Sequence, residues 1–299
     1  MLSILIPTYN YNVFPLAEEI HKQVVQTGII FEIICLDDAS KTLYLENEKI
    51  NLLSDTKYEM LKTNLGRSKI RNLLSKKAQY DWLLYLDVDV FPKDRNFILN
   101  YLPFLNTATK VVNGGILYQP NKPDKSKLFR WVYGKNREAL ECQLRQKKPY
   151  LSFLTLNFLL HKSIFESVSF NEEIPNLRHE DTLFSYDLMQ REIFIQHINN
   201  PVYHLGLDPF DTAIRKENES IIALKFLTDH QMIGQDYLRI SMAFYKVKSL
   251  KLIPIIAFLH RIFKEAILKN LSGNFPLLFL FDCYRLGYWC SIENKSIAL

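Results

Sequence analysis

The sequence predicts an α/β fold, in which a mostly parallel sheet is flanked by helices and followed by a helical C-terminal extension. In the first hundred residues, short apolar runs alternate with longer segments whose apolar residues recur at helical spacing. This alternation is typical of strand–helix–strand units, whose strands run parallel and whose helices cover the sheet. The chain has 299 residues and is 48% hydrophobic, which is enough to fill a sizeable core.

The individual elements follow from these patterns in chain order. Apolar runs predict strands at residues 3–7, 31–36, 58–61, 82–86 and 111–113, and a strand-like segment at residues 150–160. Helical spacing predicts helices at residues 14–25, 42–53, 67–77, 163–168 and 181–191. The polar segment 121–127 is expected to be a loop that could act as a mobile lid. From about residue 214 the pattern becomes helical and more basic, so we place a domain boundary near Pro209.

Length and composition agree with a soluble enzyme, and the cysteine pattern favours a reducing, cytoplasmic setting. The formal net charge of +5 slightly favours anionic substrates or an anionic membrane surface, but it is far from the strongly basic character of nucleic-acid-binding proteins. No nucleic-acid partner is therefore expected. The four cysteines show no paired metal-ligand spacing. We recognise neither a secretion signal nor an apolar run of the roughly 18 residues that a membrane-spanning helix needs.

The most informative segment is the apolar run at residues 82–86, which leads into two aspartates separated by one residue. In an extended chain, side chains two positions apart point to the same side, so Asp87 and Asp89 are expected to project together. Two carboxylates this close repel each other unless a cation lies between or above them. Oxygen ligands suit Mg²⁺ or Mn²⁺ shared with the phosphates of a substrate. The pair therefore predicts a metal–diphosphate site.

Polar residues also follow the other predicted strands. Ligands of parallel sheets bind at the carboxyl ends of the strands, so these residues are expected to line one crevice. They are Thr8, Tyr9 and Asn10 after the first strand, Asp37, Asp38 and Ser40 after the second, and Asn64 and Gly66 after the third. At least one of the two aspartates should face the crevice, where it could accept a hydrogen bond from a nucleobase. For any one of these residues, an ordinary turn or helix-capping role remains an open alternative.

The helix that begins after Gly66 carries three cations in its first two turns, where the helix dipole disfavours positive charge. Arg67 and Arg71 are four residues apart and share a helix face. A bound diphosphate would compensate for this charge, and Arg71 is the better candidate to contact it. For Arg67 and Lys69, a solvated basic face is the preferred interpretation.

Taken together, these motifs resemble those of the family 2 glycosyltransferases, which have the GT-A fold. The resemblance covers roughly residues 1–208 and depends on several motifs that occur in the same order and spacing. The matching segments are residues 6–10, 37–40, 64–72, 87–89 and 180–184, together with Asn157, Phe165 and Phe170. Ala39 stands where that family commonly has glycine. The resemblance implies a GT-A-type, Rossmann-like domain at residues 1–209 that binds a nucleotide sugar and performs catalysis, followed by a helical extension at residues 210–299.

The resemblance also implies roles for single residues in the donor site. The nucleotide would be held by Thr8, Tyr9, Asp37, Asp38, Asn64, Gly66, Arg71 and Asp87. Mg²⁺ or Mn²⁺ would be bound by Asp89, with Asp87 beside it and His204 as a further ligand. A lone histidine is more often structural, so the metal role of His204 depends on the resemblance alone.

The acidic pair Glu180-Asp181 corresponds to the catalytic position of the family. Asp181 would be the base that deprotonates the acceptor hydroxyl, and Glu180 is counted with it, although acids at a helix start also act as simple caps. Attack opposite the leaving group inverts the anomeric configuration. The resemblance thus implies an inverting glycosyltransferase. It would move a sugar, by default from a UDP-sugar, to a hydroxyl of a glycan or lipid-linked acceptor in polysaccharide or cell-surface glycan synthesis.

Two other classes stay open as alternatives. A sugar nucleotidyltransferase would share the sheet and the metal aspartates, but the segment Pro7-Thr8-Tyr9-Asn10 lacks the glycine-rich phosphate loop of that class. A non-catalytic GT-A-like subunit of a glycan-assembly complex would have the fold without the acidic residues. The presence of Asp87, Asp89 and Asp181 argues against this second alternative.

The C-terminal extension contains a basic amphipathic helix. Apolar residues recur at helical spacing between Ile255 and Ile267, and His260, Arg261, Lys264 and Lys269 fill the other side. Such a helix could lie on the anionic inner face of the membrane, near lipid-linked acceptors. The alternative is that its apolar stripe packs on the catalytic domain, which is the commoner arrangement. The sequence does not predict the oligomeric state.

Overall fold

The chain folds into two units, and the structure, a computed structural model, describes residues 1–297. The first unit contains residues 1–119, 138–176 and 180–206. The second contains residues 120–137, residues 177–179 and the chain from residue 207 onward. The predicted domain division at residue 209 stays a prediction.

The first unit is built around two sheets. Its strands are β1 (Leu2–Thr8), β2 (Phe31–Asp37), β3 (Thr56–Met60), β4 (Trp82–Leu86), β5 (Val90–Pro92), β6 (Val111–Asn113), β7 (Ile116–Leu117), β8 (Asn157–His161), β9 (Ile195–His197) and β10 (Val202–His204). The main sheet has seven strands in the order β3-β2-β1-β4-β8-β6-β9, and a three-stranded sheet has the order β5-β10-β7.

Some helices connect these strands within the first unit, and other helices belong to the second unit. The helices are α1 (Phe14–Thr27), α2 (Arg67–Lys77), α3 (Lys125–Arg137), α4 (Cys142–Lys147), α5 (Ser163–Ser167), α6 (Glu180–Gln190), α7 (Phe210–Asp229), α8 (Arg239–Ser249), α9 (Ile253–Leu271) and α10 (Leu278–Ile297). Two short 3-10 helices span Leu45–Leu52 and Leu99–Asn106.

The main sheet is mostly parallel, as predicted. Strands β1 to β4 are mutually parallel, and only β8 runs antiparallel to its two neighbours. Thr8 is paired with Asp37, and Asp37 with Met60, so the carboxyl ends of three strands share one edge. The strands β1, β2 and β4 are almost entirely buried because helices cover both faces of the sheet. The prediction of a mostly parallel sheet flanked by helices is confirmed.

Several element predictions were wrong in detail. The helix expected at residues 42–53 is the 3-10 helix Leu45–Leu52, because the Asn47 side chain bonds to the backbone of Tyr11, Val13 and Phe14 and ties this segment to the loop after β1. The strand expected at residues 150–160 begins only at Asn157, opposite the last residue of β4, where its pairing partner ends.

The expected loop at residues 121–127 already enters helix α3 at Lys125. The three-stranded sheet was not predicted at all, since strands of two or three residues are too short to show a period.

The second unit is helical in its long C-terminal portion. Helices α9 and α10 pack against each other, and Phe129, Ile214, Leu271, Phe281 and Tyr284 form its core cluster with Ala213. Among the described helices, none combines the length and the apolar character that a membrane span requires.

Candidate active site

The loops that follow β1 and β2 are joined at the carboxyl edge of the main sheet. The backbone N–H of Asn10 donates to Ser40 Oγ at 2.6 Å, and the Asn10 side-chain oxygen accepts from the N–H groups of Lys41 and Thr42. Asn10 has a positive φ of 49°, which asparagine tolerates better than most residues. Thr8 is buried beside this junction, whereas Tyr9 is 43% exposed. The loop therefore presents Tyr9 to solvent and holds Thr8 within the fold.

The two adjacent aspartates at the end of β2 have different partners. Asp37 accepts hydrogen bonds from Ser40 N–H and the Tyr58 hydroxyl, both at 2.8 Å. Asp38 accepts from the N–H groups of Leu65 and Gly66 at 2.6 and 2.9 Å. Burial raises the pKa of Asp38, and these two backbone donors oppose the rise. Asp38 thus holds the loop after β3 next to the end of β2.

The loop after β3 packs closely against the side chain of Asn176 at Gly66. The Asn64 amide donates to the carbonyl oxygen of Asp38 at 2.8 Å. Gly66 has a φ of +84°, and a Cβ atom there would lie 2.6 Å from the side chain of Asn176. Asn176 in turn accepts from the N–H of Arg67 at 3.2 Å. Glycine is required at this position both for its backbone conformation and for the close approach of Asn176.

Arg71 connects the aspartate motif after β4 with the acidic pair at the start of α6. Its guanidinium donates to Asp87 at 2.9 Å and to Glu180 at 3.1 Å, and Arg71 and Glu180 are both buried. Arg67 reaches the same Glu180 oxygen at 3.4 Å, so it is not merely a solvated cation. Arg71 Nε is buried and has no hydrogen-bond partner among the residues that the structure describes. The motifs at residues 87–89 and 180–181, far apart in sequence, are therefore adjacent in space.

The two acids at the start of α6 have opposite electrostatic environments. Burial alone would raise the pKa of Glu180, but Arg67 and Arg71 outweigh it and hold this pKa below its ordinary value. Burial and the negative charge of Glu180 raise the pKa of Asp181 to about 6. Asp181 also accepts from the N–H of Thr182 at 2.7 Å. Asp181 is consequently ionised at neutral pH but more basic than an ordinary aspartate.

The three-stranded sheet brings Asp89 and His204 together. His204 ends β10 and is paired with Val90, the residue directly after Asp89. The N–H of Leu205 donates to the backbone oxygen of Asp89 at 2.8 Å, and His204 Nε2 lies 3.2 Å from Asp89 Oδ2. Burial raises the pKa of Asp87, Arg71 opposes this rise, and Asp89 adds to it. The expected proximity of the aspartate motif and His204 is therefore present.

The pair formed by Asp89 and His204 suits a divalent cation. Carboxylate oxygen is a ligand for Mg²⁺ and Mn²⁺, and neutral imidazole is a common metal ligand. Gly206 lets the Asp89 carboxylate approach the backbone closely, because a Cβ atom there would overlap Asp89 Oδ2 and would lie 3.1 Å from His204 Nε2. Within residues 1–297, no three histidine, cysteine, aspartate or glutamate side chains cluster closely enough to hold a metal ion by themselves. A donor set of few protein ligands completed by substrate phosphates fits this arrangement.

Sequence reasoning missed several residues around this pair. Tyr118 contacts His204 and Glu138, and Gly206 packs on Asp89. Burial and the charge of Asp89 raise the pKa of Tyr11, which places the loop after β1 within electrostatic range of Asp89. None of these residues was identified as functional from the sequence. Tyr118 and Gly206 lie beside His204 and Asp89 because strands of two or three residues pair there, and such short strands show no period.

Comparison with known proteins identifies the family. The model of glycosyl transferase family 2 matches residues 3–169, which is more than half of the chain. The chain belongs to glycosyl transferase family 2. The family resemblance predicted from the strand-end motifs is therefore confirmed.

A protein described as a glycosyltransferase is similar to part of the chain. A Haemophilus influenzae protein described as an uncharacterized glycosyltransferase is 31% identical over 140 residues, which cover 42% of this chain and 46% of that protein. The match thus spans less than half of the relative's length.

Two solved structures have the same fold as this family member. A Pyrobaculum calidifontis mannosyltransferase in complex with GDP-Man and Mn²⁺ has a TM-score of 0.58 at 14% identity, covering 98% of this chain and 86% of that chain. A Mycobacterium tuberculosis glucosyl-3-phosphoglycerate synthase in complex with Mg²⁺ and UDP has a TM-score of 0.51 at 14% identity, covering 76% and 78%. The predicted GT-A fold is confirmed.

Proposed function

We propose that this protein is a metal-dependent, inverting glycosyltransferase, which moves a sugar from a nucleotide-sugar donor to the hydroxyl of an acceptor. The observation that supports this most directly is the bridge of Arg71 between Asp87 and Glu180. It supports the proposal because displacement at an anomeric carbon needs a donor site and a base close together, and the residues that we propose for these roles lie on either side of Arg71.

The donor site would hold the nucleotide at the ends of the parallel strands. Thr8, Tyr9 and Asp38 would contact the nucleobase, with Asp37, Asn64 and Gly66 shaping the loops around it, and Asp87 and Arg71 on the ribose and diphosphate side. Asp89 and His204 would hold Mg²⁺ or Mn²⁺, with Asp87 nearby. When bound, the ion would supply Lewis-acid stabilisation of the negative charge on the departing diphosphate. The solved GDP-Man and UDP complexes of proteins with this fold support a nucleotide-sugar donor, and UDP is our default nucleotide.

Asp181 would act as the base. The acceptor oxygen forms a bond to the anomeric carbon, the bond from that carbon to the diphosphate oxygen breaks, and the acceptor proton moves to the Asp181 carboxylate. A pKa of about 6 suits this task, because Asp181 is ionised at neutral pH and still binds a proton more readily than an exposed aspartate does. Glu180 would support this role by keeping a negative charge next to Asp181 while it anchors Arg71.

The acceptor would be a glycan or a lipid-linked glycan at the inner face of the membrane. Helix α9 supports this proposal because its two faces differ. Ile253, Ala257 and Leu271 are buried, whereas the opposite face exposes large apolar side chains. That exposed set comprises Ile255, Phe258, Leu259, Ile262 and Phe263, each 41–55% exposed.

The cations near this exposed face match an anionic lipid surface. Arg261 and Lys269 are exposed on α9 and form no ion pair with any residue of the described chain, and Arg261 lies 5.3 Å from the centre of the Phe258 ring. An apolar helix face bordered by unpaired cations is the pattern of helices that lie in the membrane interface. We therefore propose a peripheral contact with anionic lipid rather than with another protein. In this proposal the enzyme acts in the cytoplasm and contributes to the synthesis of polysaccharide or cell-surface glycan.

The alternative functions receive less support. A sugar nucleotidyltransferase would need phosphate-binding glycines after β1, where this chain has Thr8, Tyr9 and Asn10. A non-catalytic subunit would not need an aspartate with a raised pKa, such as Asp181, next to a glutamate that is held by Arg71, such as Glu180.

Calorimetric titration with UDP and GDP, with and without Mn²⁺, tests the donor site. We expect metal-dependent binding that Asp89→Asn abolishes, and binding of equal strength without metal would contradict the proposed site. A panel of nucleotide sugars then tests activity through metal-dependent release of the nucleoside diphosphate. Asp181→Asn is expected to bind the donor normally but to lose transfer, and undiminished transfer would remove Asp181 from the proposed role.

A further inference from the structure

The three-stranded sheet places Tyr118 on the side of His204 that is opposite Asp89. Strands β7 and β10 are parallel, with Ile116 paired to Val202 and Leu117 paired to Tyr203. The same register continued by one residue sets Tyr118 next to His204. On the other side of β10, His204 is paired with Val90, directly after Asp89. The sheet order β5-β10-β7 therefore positions the imidazole of His204 between Asp89 and Tyr118.

Hydrogen bonds connect these side chains in one line. The hydroxyl of Tyr118 donates to Glu138 Oε2 and lies 2.9 Å from His204 Nδ1. The other ring nitrogen of His204, Nε2, lies 3.2 Å from Asp89 Oδ2. Tyr118 and His204 are 4% and 8% exposed, so the contact between these two side chains is shielded from bulk water.

The direction of these hydrogen bonds follows from the donor and acceptor capacity of each group. An ionised carboxylate only accepts, and a phenol has a single proton to donate. Since that proton is directed to Glu138, the Tyr118 oxygen must accept from His204, and Nδ1 must carry a proton. In the neutral imidazole, which is the form that binds metal ions, Nε2 is then the nitrogen whose lone pair is available on the side of Asp89. Without Glu138, Tyr118 could donate to Nδ1 instead, and Nε2 would carry the proton.

We propose that Glu138 and Tyr118 are positioning residues that hold His204 in the tautomer with the proton on Nδ1, so that Nε2 is presented with Asp89 to a divalent cation. This inference deepens the proposed function and depends on its metal site. A lone pair and a carboxylate oxygen 3.2 Å apart are both electron-rich, so a cation shared by them stabilises the arrangement. Partners that fix the orientation and tautomer of a histidine ligand typically contribute 10–100-fold to metal affinity.

Metal affinity is the first readout. Binding of Mn²⁺ in the presence of UDP is measured by the electron paramagnetic resonance signal of the free ion. Tyr118→Phe keeps the ring but removes the hydroxyl, and Glu138→Ala removes the acceptor, so each is expected to weaken Mn²⁺ binding by about 10–100-fold. Glu138→Gln retains a carbonyl oxygen that can accept from Tyr118, and it should keep most of the affinity. Tyr203→Phe, one residue from His204 on β10, is the matched control and should bind Mn²⁺ like the wild type.

The tautomer itself is the second readout, and it does not depend on activity. Nitrogen-15 spectra of histidine-labelled protein with Mg²⁺ and UDP distinguish a protonated from an unprotonated ring nitrogen, and His204→Gln identifies the His204 signals. We expect a protonated Nδ1 and an unprotonated Nε2 in the wild type, and the reverse or a mixture in Glu138→Ala. Circular dichroism and thermal melting of each variant check that it is folded.

The outcomes separate this inference from the proposed function. If Asp89→Asn loses Mn²⁺-dependent UDP binding while Tyr118→Phe and Glu138→Ala bind Mn²⁺ like the wild type, the positioning role is overturned and the metal site stands. An unprotonated Nδ1 in the wild-type spectrum also overturns it. If the wild-type protein binds UDP without any dependence on Mn²⁺, the metal site fails and the positioning role fails with it.

Discussion

Arg71 and Glu180 form a buried ion pair, with the guanidinium nitrogen 3.1 Å from the carboxylate oxygen. Nη2 of the same guanidinium lies 2.9 Å from Asp87 Oδ1. One cation from α2 thus joins the end of β4 to the start of α6. This contact determines the distance between the two candidate functional motifs, and it compensates for the negative charge that both contribute.

Removal of this cation should be costly. We expect Arg71→Ala to lower the free energy of unfolding by about 3–5 kcal/mol, because Asp87 and the buried Glu180 lose the partner that compensates for their desolvation. Urea denaturation monitored by circular dichroism measures the change. Arg215→Ala, which removes the exposed pair with Glu219, is the matched control and should cost no more than about 1 kcal/mol. Equal small losses in both variants would contradict the importance of the buried pair.

The rate of transfer should depend on the ionisation of Asp181. Its pKa is raised to about 6, so the fraction of ionised base, and with it kcat/KM, should fall about tenfold per pH unit well below pH 6 and level off above it. Initial rates at saturating metal between about pH 5 and pH 8 test this. Glu180→Gln removes a negative neighbour that raises the pKa, so the inflection should move to lower pH in that variant. A flat wild-type profile across this range would argue against Asp181 as the base.

The close approach of Asp89 to Gly206 should be essential for metal binding. Gly206→Ala would place a Cβ atom on top of Asp89 Oδ2, so the carboxylate must rotate away from its position beside His204. We expect Mn²⁺ affinity to fall by about tenfold or more, as for other changes that disturb a ligand's orientation. The measurement is Mn²⁺ titration in the presence of UDP, with thermal melting as a check of folding. Wild-type affinity in this variant would show that Asp89 does not need its present orientation.

The exposed face of α9 should bind anionic lipid. We expect co-sedimentation with vesicles that contain phosphatidylserine, weakened by salt because cations contribute, and reduced at least severalfold by the double change Phe258→Ser and Ile262→Ser. Ile222→Ser, a comparably exposed aliphatic residue of α7, is the control. Gel filtration of the same variants tests whether this face binds a second copy of the chain instead. That alternative would hold if the wild type forms a dimer and does not bind vesicles, and if the double change dissociates the dimer.

The strand-end motifs were predictable because parallel strands order their carboxyl ends by a simple rule. Thr8 and Asp37 each end a strand, Asp87 directly follows one, and adjacent parallel strands bring these ends to one edge. The 3-10 helix at Leu45–Leu52 was not predictable, since the Asn47 side chain bonds to backbone groups more than 30 residues away. Helical spacing describes only which residues share a helix face, and it carries no information about hydrogen bonds to a distant segment of the chain.

By itself, the sequence determined the parallel sheet, its flanking helices and the identity of the polar residues at the strand ends, because side-chain periodicity and turn chemistry are local properties. Only the tertiary structure decided that Arg71 bridges Asp87 and Glu180, and that His204 lies between Asp89 and Tyr118. Arg71 and Glu180 are 109 positions apart, and Asp89 and His204 are 115 apart. Contacts over such separations arise from strand pairing and helix packing, and no local pattern in the chain encodes them.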